Sequence, residues 1–201
     1  MTVEQVLHEM DRMEWATFRT LSGDASHVPA AIRALISDIP AQRSEAYWKL
    51  DNHVVCQGDL YESAFYVCAA FANLLKTNVI HGRAEMYALL SEIVLGCPAV
   101  GQETLETKSQ PHQTPAPLNG LPSTIGLLEG CLETIAGCHA LIIADALTAK
   151  DGMVRKRATE LLNMLVHTRP DLLPFVLETL EEQTPAAVGD VQALRALLCG
   201  P

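Results

Sequence analysis

The chain has 201 residues, 49% of them hydrophobic and 19% charged, with 14 Lys+Arg against 24 Asp+Glu for a formal net charge of −10. That length can bury one sizeable core as a single domain spanning 1–201, and the negative balance repels phosphate backbones and lipid headgroups, which sets aside nucleic acid and membrane and favours a basic protein as partner. The longest charge-free apolar run, 134–144, is shorter than the roughly 20 residues a membrane helix needs, and MTVEQVLHEMDRMEW carries acids early without an apolar stretch, so a cytoplasmic location is expected.

Taken in chain order, apolar residues recur at helical spacing: Ile32, Leu35 and Ile36; Tyr61, Phe65, Cys68, Ala72 and Leu75; Met86, Leu89, Leu90 and Ile93; Leu161, Leu162, Leu165 and Val166. Pro29, Pro40, Pro170 and Pro185 sit where a first helical turn tolerates proline, and Gly58, Gly82, Gly96 and Gly152 fall between the periodic segments. Helices are predicted over 3–18, 28–37, 41–56, 60–76, 82–95, 123–136, 137–149, 153–167, 171–182 and 187–199. No alternating segment of strand length competes, so the expected fold is all-α.

In CQGDLYESAF, Cys56 to Phe65, Gly58 suits the left-handed position just past a helix end, and Asp59 with Glu62 three residues on matches a capping box. The stretch reads as a junction between helices. The segment 97–122 holds five of the eleven prolines and little periodicity, and is predicted as a long Pro-rich insertion loop, either a surface insertion or a partner contact. Cys56, Cys68, Cys131, Cys138 and Cys199 lie in or beside apolar helical patterns and read as reduced core thiols.

Internal repetition is present. A shift of 40 residues carries Leu35, Arg43, Glu45, Tyr47 and Leu50 onto Leu75, Arg83, Glu85, Tyr87 and Leu90, and a shift of 112 carries Leu35, Arg43, Ala46 and Leu50 onto Leu147, Arg155, Ala158 and Leu162. A period near 40 with two helices per unit is what a helical solenoid produces, each unit burying its apolar face against its neighbours.

The segment VPAAIRALISDIPAQRSEAYWKL resembles a HEAT-type repeat, with Pro29 early in the first helix, a Leu-rich face, Asp38 at the inter-helix turn, then proline, Arg43 and Ala46 in the second helix. Weaker copies appear in DLLPFVLETL, with Pro174, and in AKDGMVRKRATELL, where Lys150 replaces the turn aspartate. The run QGDLYESAFYVCAAFANLL is similar to small bacterial HEAT-like proteins, some of them immunity partners of secreted toxins. The resemblance implies an α-solenoid of antiparallel helix pairs whose Asp38 caps the second helix and whose Arg43 pairs with turn acids of adjacent repeats.

Motifs for chemistry are missing: no GxSxG, GxxxxGK[ST], GxGxxG or HExxH occurs. Gly126-x-x-x-Gly130 reads as a close-packing notch. His53 with Cys56, and Cys138 with His139, supply two ligands each where zinc requires three or four, so neither a metal nor a cofactor is expected. Glu181–Glu182 and Glu129–Glu133 read as solvated helix faces. Nine of the ten aromatics lie in the first 87 residues. They make either an aromatic core or, in part, an anchor for a partner, since Trp and Tyr dominate interface hot spots. The candidate partner-binding patch is Glu45, Trp48, Asp51, Asn52, Asp59, Tyr61 and Glu62. The expected function is a non-enzymatic protein-binding module, in its most specific form an immunity protein that neutralises a basic toxin or effector through an acidic face. A helical-repeat enzyme or cofactor-handling protein of lyase-like kind, using His53 and Cys56 or the long loop, and a general scaffold are the alternatives.

Overall fold

The structure is a computed structural model that describes residues 1–106, 124–182 and 188–199. Its first helix, α1 (Val3–Asp11), opens on a capping box in which Thr2 Oγ1 accepts from Gln5 N–H and Gln5 Oε1 accepts from Thr2 N–H. The predicted helix over 3–18 stops at Asp11. A 3-10 turn at Trp15–Thr17 and a two-residue hairpin, β1 (Arg19–Thr20) with β2 (Gly23–Asp24), replace the rest. The break points Trp15 and Phe18 inward, where Phe18 stacks on Tyr66 with ring centroids 3.7 Å apart and Trp15 Nε1 donates to Met10 O at 2.8 Å.

Two helix pairs follow. In the first, α2 (Val28–Leu35) and α3 (Pro40–Val54) both carry proline in the opening turn, where its missing N–H is no loss. Asp38 does not cap α3. Ile39 holds the cap position without a side-chain bond, and Ser37 Oγ instead accepts from Ile39 N–H at 3.1 Å and donates to Gln42 Oε1 at 2.7 Å. The second pair is α4 (Ser63–Leu75) and α5 (Arg83–Leu95). Every residue of α4 is buried, so it is a central helix rather than one with a single apolar stripe.

The capping box expected at Asp59 and Glu62 is absent, because these residues precede a helix that starts only at Ser63. β3 (Val55–Cys56) and β4 (Asp59–Leu60) form an antiparallel hairpin around Gln57 and Gly58, whose φ values of 55° and 88° are the two positive angles a type I′ turn demands. Gly58 therefore serves a hairpin, not a helix end. Since Asp59 is exposed and caps nothing, Asp59→Ala is expected to change stability by less than about 0.5 kcal/mol in chemical denaturation. A loss near 1 kcal/mol would restore the capping role.

The expectation of no strands is likewise corrected. β5 (Cys97–Pro98) adds to β4 in parallel, and β6 (Thr104–Glu106) pairs with β7 (Thr124–Gly126) in antiparallel register, Leu105 opposite Ile125. The start of the predicted loop over 97–122 is thus tied down by strands, and the part beyond residue 106 lies outside the described residues, as does Pro185.

After β7 come α6 (Leu127–Ala136), α7 (His139–Thr148), α8 (Gly152–Thr168), a 3-10 turn at Pro170–Leu172, α9 (Leu173–Glu182) and α10 (Val188–Cys199). The protein is mainly α-helical. Helices α3, α5, α8 and α10 touch in that order, while α2, α4, α7 and α9 pack on their partners α3, α5, α8 and α10. Among the described residues no single helix is long and apolar enough to cross a membrane, and the apolar pair α6–α7 is bent by 54°. All six cysteines are free: Cys68, Cys131 and Cys138 are buried, Cys56 is half-buried, and Cys199, expected in the core, is exposed with Cys97.

Candidate functional site

The sequence repeat has a physical cause that only the folded chain exposes. Arg43 Nη1 donates to Ser37 O at 2.9 Å, Arg83 Nη1 to Leu75 O at 3.0 Å, and Arg155 Nη1 to Ala149 O at 2.5 Å. Each arginine sits in the first turn of a second helix and returns to a carbonyl at or just past the end of the first, a group that has no partner inside its own helix. Two of the three also reach sideways. Arg43 Nε donates to Glu85 Oε1 on α5 at 3.1 Å, and Arg83 donates to Asp145 Oδ2 on α7 through Nε at 2.9 Å and Nη2 at 2.5 Å.

Arg43 and Arg83 border a groove of about 470 Å³ that crosses the N-terminal halves of α3, α5 and α8. Three large apolar side chains on its lining face solvent: Trp48 is 56% exposed, Ile80 80% and Met153 50%. Tyr47 stands edge-on to Trp48, centroids 5.2 Å apart, and is half-buried. Burial, and after it the Asp51 and Glu92 carboxylates, push the Tyr47 phenol up to about 12 against the opposing effect of Arg157, so it remains an O–H donor at neutral pH. The charged lining comprises Arg43, Arg83 and Arg157 with Glu85 and Asp151, and His81 adds an imidazole. Each of the three arginines is paired with a carboxylate, Arg43 with Glu85, Arg83 with Asp145 and Arg157 with Glu160.

The sequence-predicted patch is not brought together. Trp48 lines the groove. Asp51, one turn on, is half-buried, and burial together with the Glu92 charge raises its carboxyl above the usual range. Asn52 is exposed and donates through Nδ2 to Trp48 O at 2.8 Å, tethering the helix turn beside the indole. Glu45 faces a different depression of about 170 Å³ between α2 and α3, where it approaches Lys49 Nζ at 3.7 Å. Asp59, Tyr61 and Glu62 belong to the β3–β4 hairpin and the segment after it. There Tyr61 N–H donates to Val54 O at 3.3 Å, and Glu62 accepts from Arg19 N–H at 3.3 Å while its own N–H donates to Gln102 Oε1 at 3.1 Å. Of the other early aromatics, Trp15, Phe18, Phe65, Tyr66, Phe71 and Tyr87 are buried and make the aromatic core. Ile80, Met153, Arg43 and Arg157 are the groove residues that the patch omitted. The one available signal was positional: Ile80 and Met153 flank the glycines that precede α5 and open α8.

The smaller depression also holds His27, whose ring centroid lies 4.5 Å from that of His53 and whose Nε2 is buried without a partner. Burial, then His53 and Lys49, hold the His27 imidazole below its ordinary value, with Asp24 pulling the other way. A base that binds its proton more readily when unfolded stabilises the fold fully above the unfolded value, near 6.5, and that contribution is lost as pH falls toward the lowered folded value. The melting temperature is therefore expected to drop between pH 7 and pH 5, and to drop less in His27→Gln. An equal drop in both proteins would remove His27 from the acid response.

Among the described residues no group of three or more His, Cys, Asp or Glu is placed to hold a metal ion. His53 Nδ1 donates to Lys49 O at 2.7 Å, while Cys56 stands on β3. No protein-family model, curated protein or solved structure matches this chain.

Proposed function

We propose that the chain is a HEAT-like α-solenoid that acts as a non-enzymatic protein-binding module, holding a segment of another protein in the groove across α3, α5 and α8. The observation that carries this reading is the set of three exposed apolar side chains, Trp48, Ile80 and Met153, contributed to one groove by α3, the connection before α5, and α8. Exposed apolar groups gathered in a concavity mark interaction surfaces, and Trp, Tyr, Met and Arg are the residues enriched at interface cores. The recurrence of Arg43, Arg83 and Arg155 in one role, and the succession α3, α5, α8 and α10, support the solenoid arrangement.

The most specific form of the proposal is an immunity protein that neutralises a basic toxin or effector in the cytoplasm. Its support is the net charge of −10, which speeds encounter with a cationic partner at low salt. Glu45, Asp51, Asn52, Asp59, Tyr61 and Glu62 would then flank the groove as a polar surround rather than form the anchor.

The test is capture by tagged full-length protein from its own cell extract, with wild type, Trp48→Ala and Ile80→Glu in parallel and chains identified by mass spectrometry. The expected result is one partner held by wild type, reduced at least about tenfold by either variant, and weakened by salt. Retention indifferent to both variants would move the binding surface elsewhere.

A further inference from the structure

Two imidazoles join the start of α2 to the end of α3. His27, at the cap position of α2, and His53, in the last turn of α3, stand with ring centroids 4.5 Å apart and planes inclined by 60°. His53 is held from its own helix, its Nδ1 donating to Lys49 O at 2.7 Å. His27 has no such freedom at its far nitrogen, since Nε2 is buried without a partner. A neutral ring strands only a lone pair there. A protonated ring would strand an N–H that carries positive charge, which is far costlier to bury.

The neighbours deepen that cost. From α3 the ring is faced by His53 and the Lys49 ammonium, with Glu45 in the same depression turned to Lys49 Nζ at 3.7 Å. From α2 come its opening turn, whose dipole disfavours a cation, and Ala30, Ala31 and Ala34. From β2 comes Asp24, the opposing charge, but it is exposed and its Oδ1 already accepts from Ser26 N–H at 2.8 Å. An imidazolium at residue 27 is therefore relieved only by leaving this place for water.

The piece that can follow it is the β1–β2 hairpin, which runs directly into His27. Its tip crosses to α3 by a backbone bond, Leu21 N–H to His53 O at 3.0 Å, and its first strand meets the segment before α4 through Arg19 N–H and Glu62 Oε2 at 3.3 Å. Between the buried Thr20 and Val28, residues 21–24 and 26 are exposed and only Ala25 is buried. Few apolar contacts hold such a stretch, so it belongs to the parts of a fold that open first.

We propose that the His27–His53 pair is an acid-sensitive latch, in which protonation of His27 expels its ring from beside His53 and Lys49 and frees the hairpin tip at Leu21 from the end of α3, while the core around Trp15, Phe18 and Tyr66 stays packed. The sign follows from linkage: the open form binds the proton with ordinary affinity and the closed form resists it, so the latch is shut above the ordinary imidazole value, near 6.5, and loosens as pH falls below it.

The experiment is amide hydrogen exchange of the intact chain, followed by NMR at pH 7 and pH 5 and corrected for the exchange of an unstructured amide at the same pH, on wild type, His27→Gln, His53→Gln and Lys49→Met. One reporter is the Leu21 amide, which the latch holds; the other is the Phe71 amide of α4, a helix buried along its whole length. At pH 7 Leu21 is expected to be at least about a hundredfold less protected than Phe71, and in wild type to lose about tenfold more by pH 5. His27→Gln should abolish that fall. His53→Gln and Lys49→Met keep His27 and the main-chain carbonyl that Leu21 uses but remove a neighbouring ring or cation, so each should shrink the fall, and they test the latch even if His27→Gln does not fold. Equal protection of Leu21 and Phe71 at both pH values would make the acid response an unfolding of the whole chain and overturn the latch. So would an undiminished fall in all three variants, or no fall in wild type.

Discussion

Gly82→Ala is expected to destabilise the protein by about 3 kcal/mol or more in chemical denaturation. Gly82 precedes α5 with φ of 81°, a left-handed conformation that costs an L-residue about 1–2 kcal/mol. A Cβ there would also stand 2.3 Å from Leu35 O and 3.0 Å from Leu35 C, atoms of the backbone that end α2 and cannot swing aside. Gly58 isolates the two contributions, since its φ of 88° is nearly the same and nothing lies within 4 Å of its Cβ position. Gly58→Ala should therefore cost about 1–2 kcal/mol and Gly82→Ala clearly more. Equal losses would mean that α2 and α5 can part at no cost. Because Gly82 lines the groove, a shifted α5 should also weaken whatever the groove holds.

The helical class was legible because most helices carry a periodic apolar face, and α2, α3, α5 and α8 each have a proline or glycine at or beside their first residue. The repeat was legible through Arg43, Arg83 and Arg155, since a long cation returning to an orphan carbonyl is the same local solution each time the chain turns between paired helices. The strands were not: a ladder of two residues, such as Val55–Cys56 with Asp59–Leu60, is too short to show a period of two. Gln57, a non-glycine at positive φ, also concealed the hairpin. The D-x-x-E of Asp59 and Glu62 imitated a cap, whereas the working capping box at Thr2 and Gln5 has the same spacing at the chain start. Gly130 was read correctly as a close-packing position: its missing side chain leaves Phe65 Cε2 2.9 Å from where a Cβ would be. The groove was half legible. Trp48 is conspicuous in sequence, but Ile80, Met153 and Arg157 come from elements that meet only through packing of α3, α5 and α8, and no local pattern relates them.

Asp145→Ala is expected to cost about 3–5 kcal/mol, the larger of the two effects, because it strips the counter-charge from a partly buried cation. One oxygen, Oδ2, accepts from Arg83 Nε at 2.9 Å, from Arg83 Nη2 at 2.5 Å and from Tyr87 O–H at 2.5 Å, with Arg83 and Asp145 side chains only 13% and 15% exposed. Burial first, and then its bond to Asp145, push the Tyr87 phenol well above its ordinary value, so the hydroxyl remains a donor that loses its acceptor if the carboxylate goes. The paired replacement Arg83→Met with Asp145→Leu should recover much of the loss, since two apolar groups of similar size leave no stranded charge. Arg83 would then no longer serve Leu75 O and Tyr87 O–H would lack its carboxylate acceptor, so recovery should stop short of wild type by about 2 kcal/mol, the net worth of two hydrogen bonds. If the single substitution instead cost less than about 1 kcal/mol, water must reach Arg83 freely, and the wall that this arginine gives the groove would be a loose one. A large loss, reversed by the pair, would make the α5–α7 bridge the rigid support on which Ile80, Trp48 and Met153 hold their spacing.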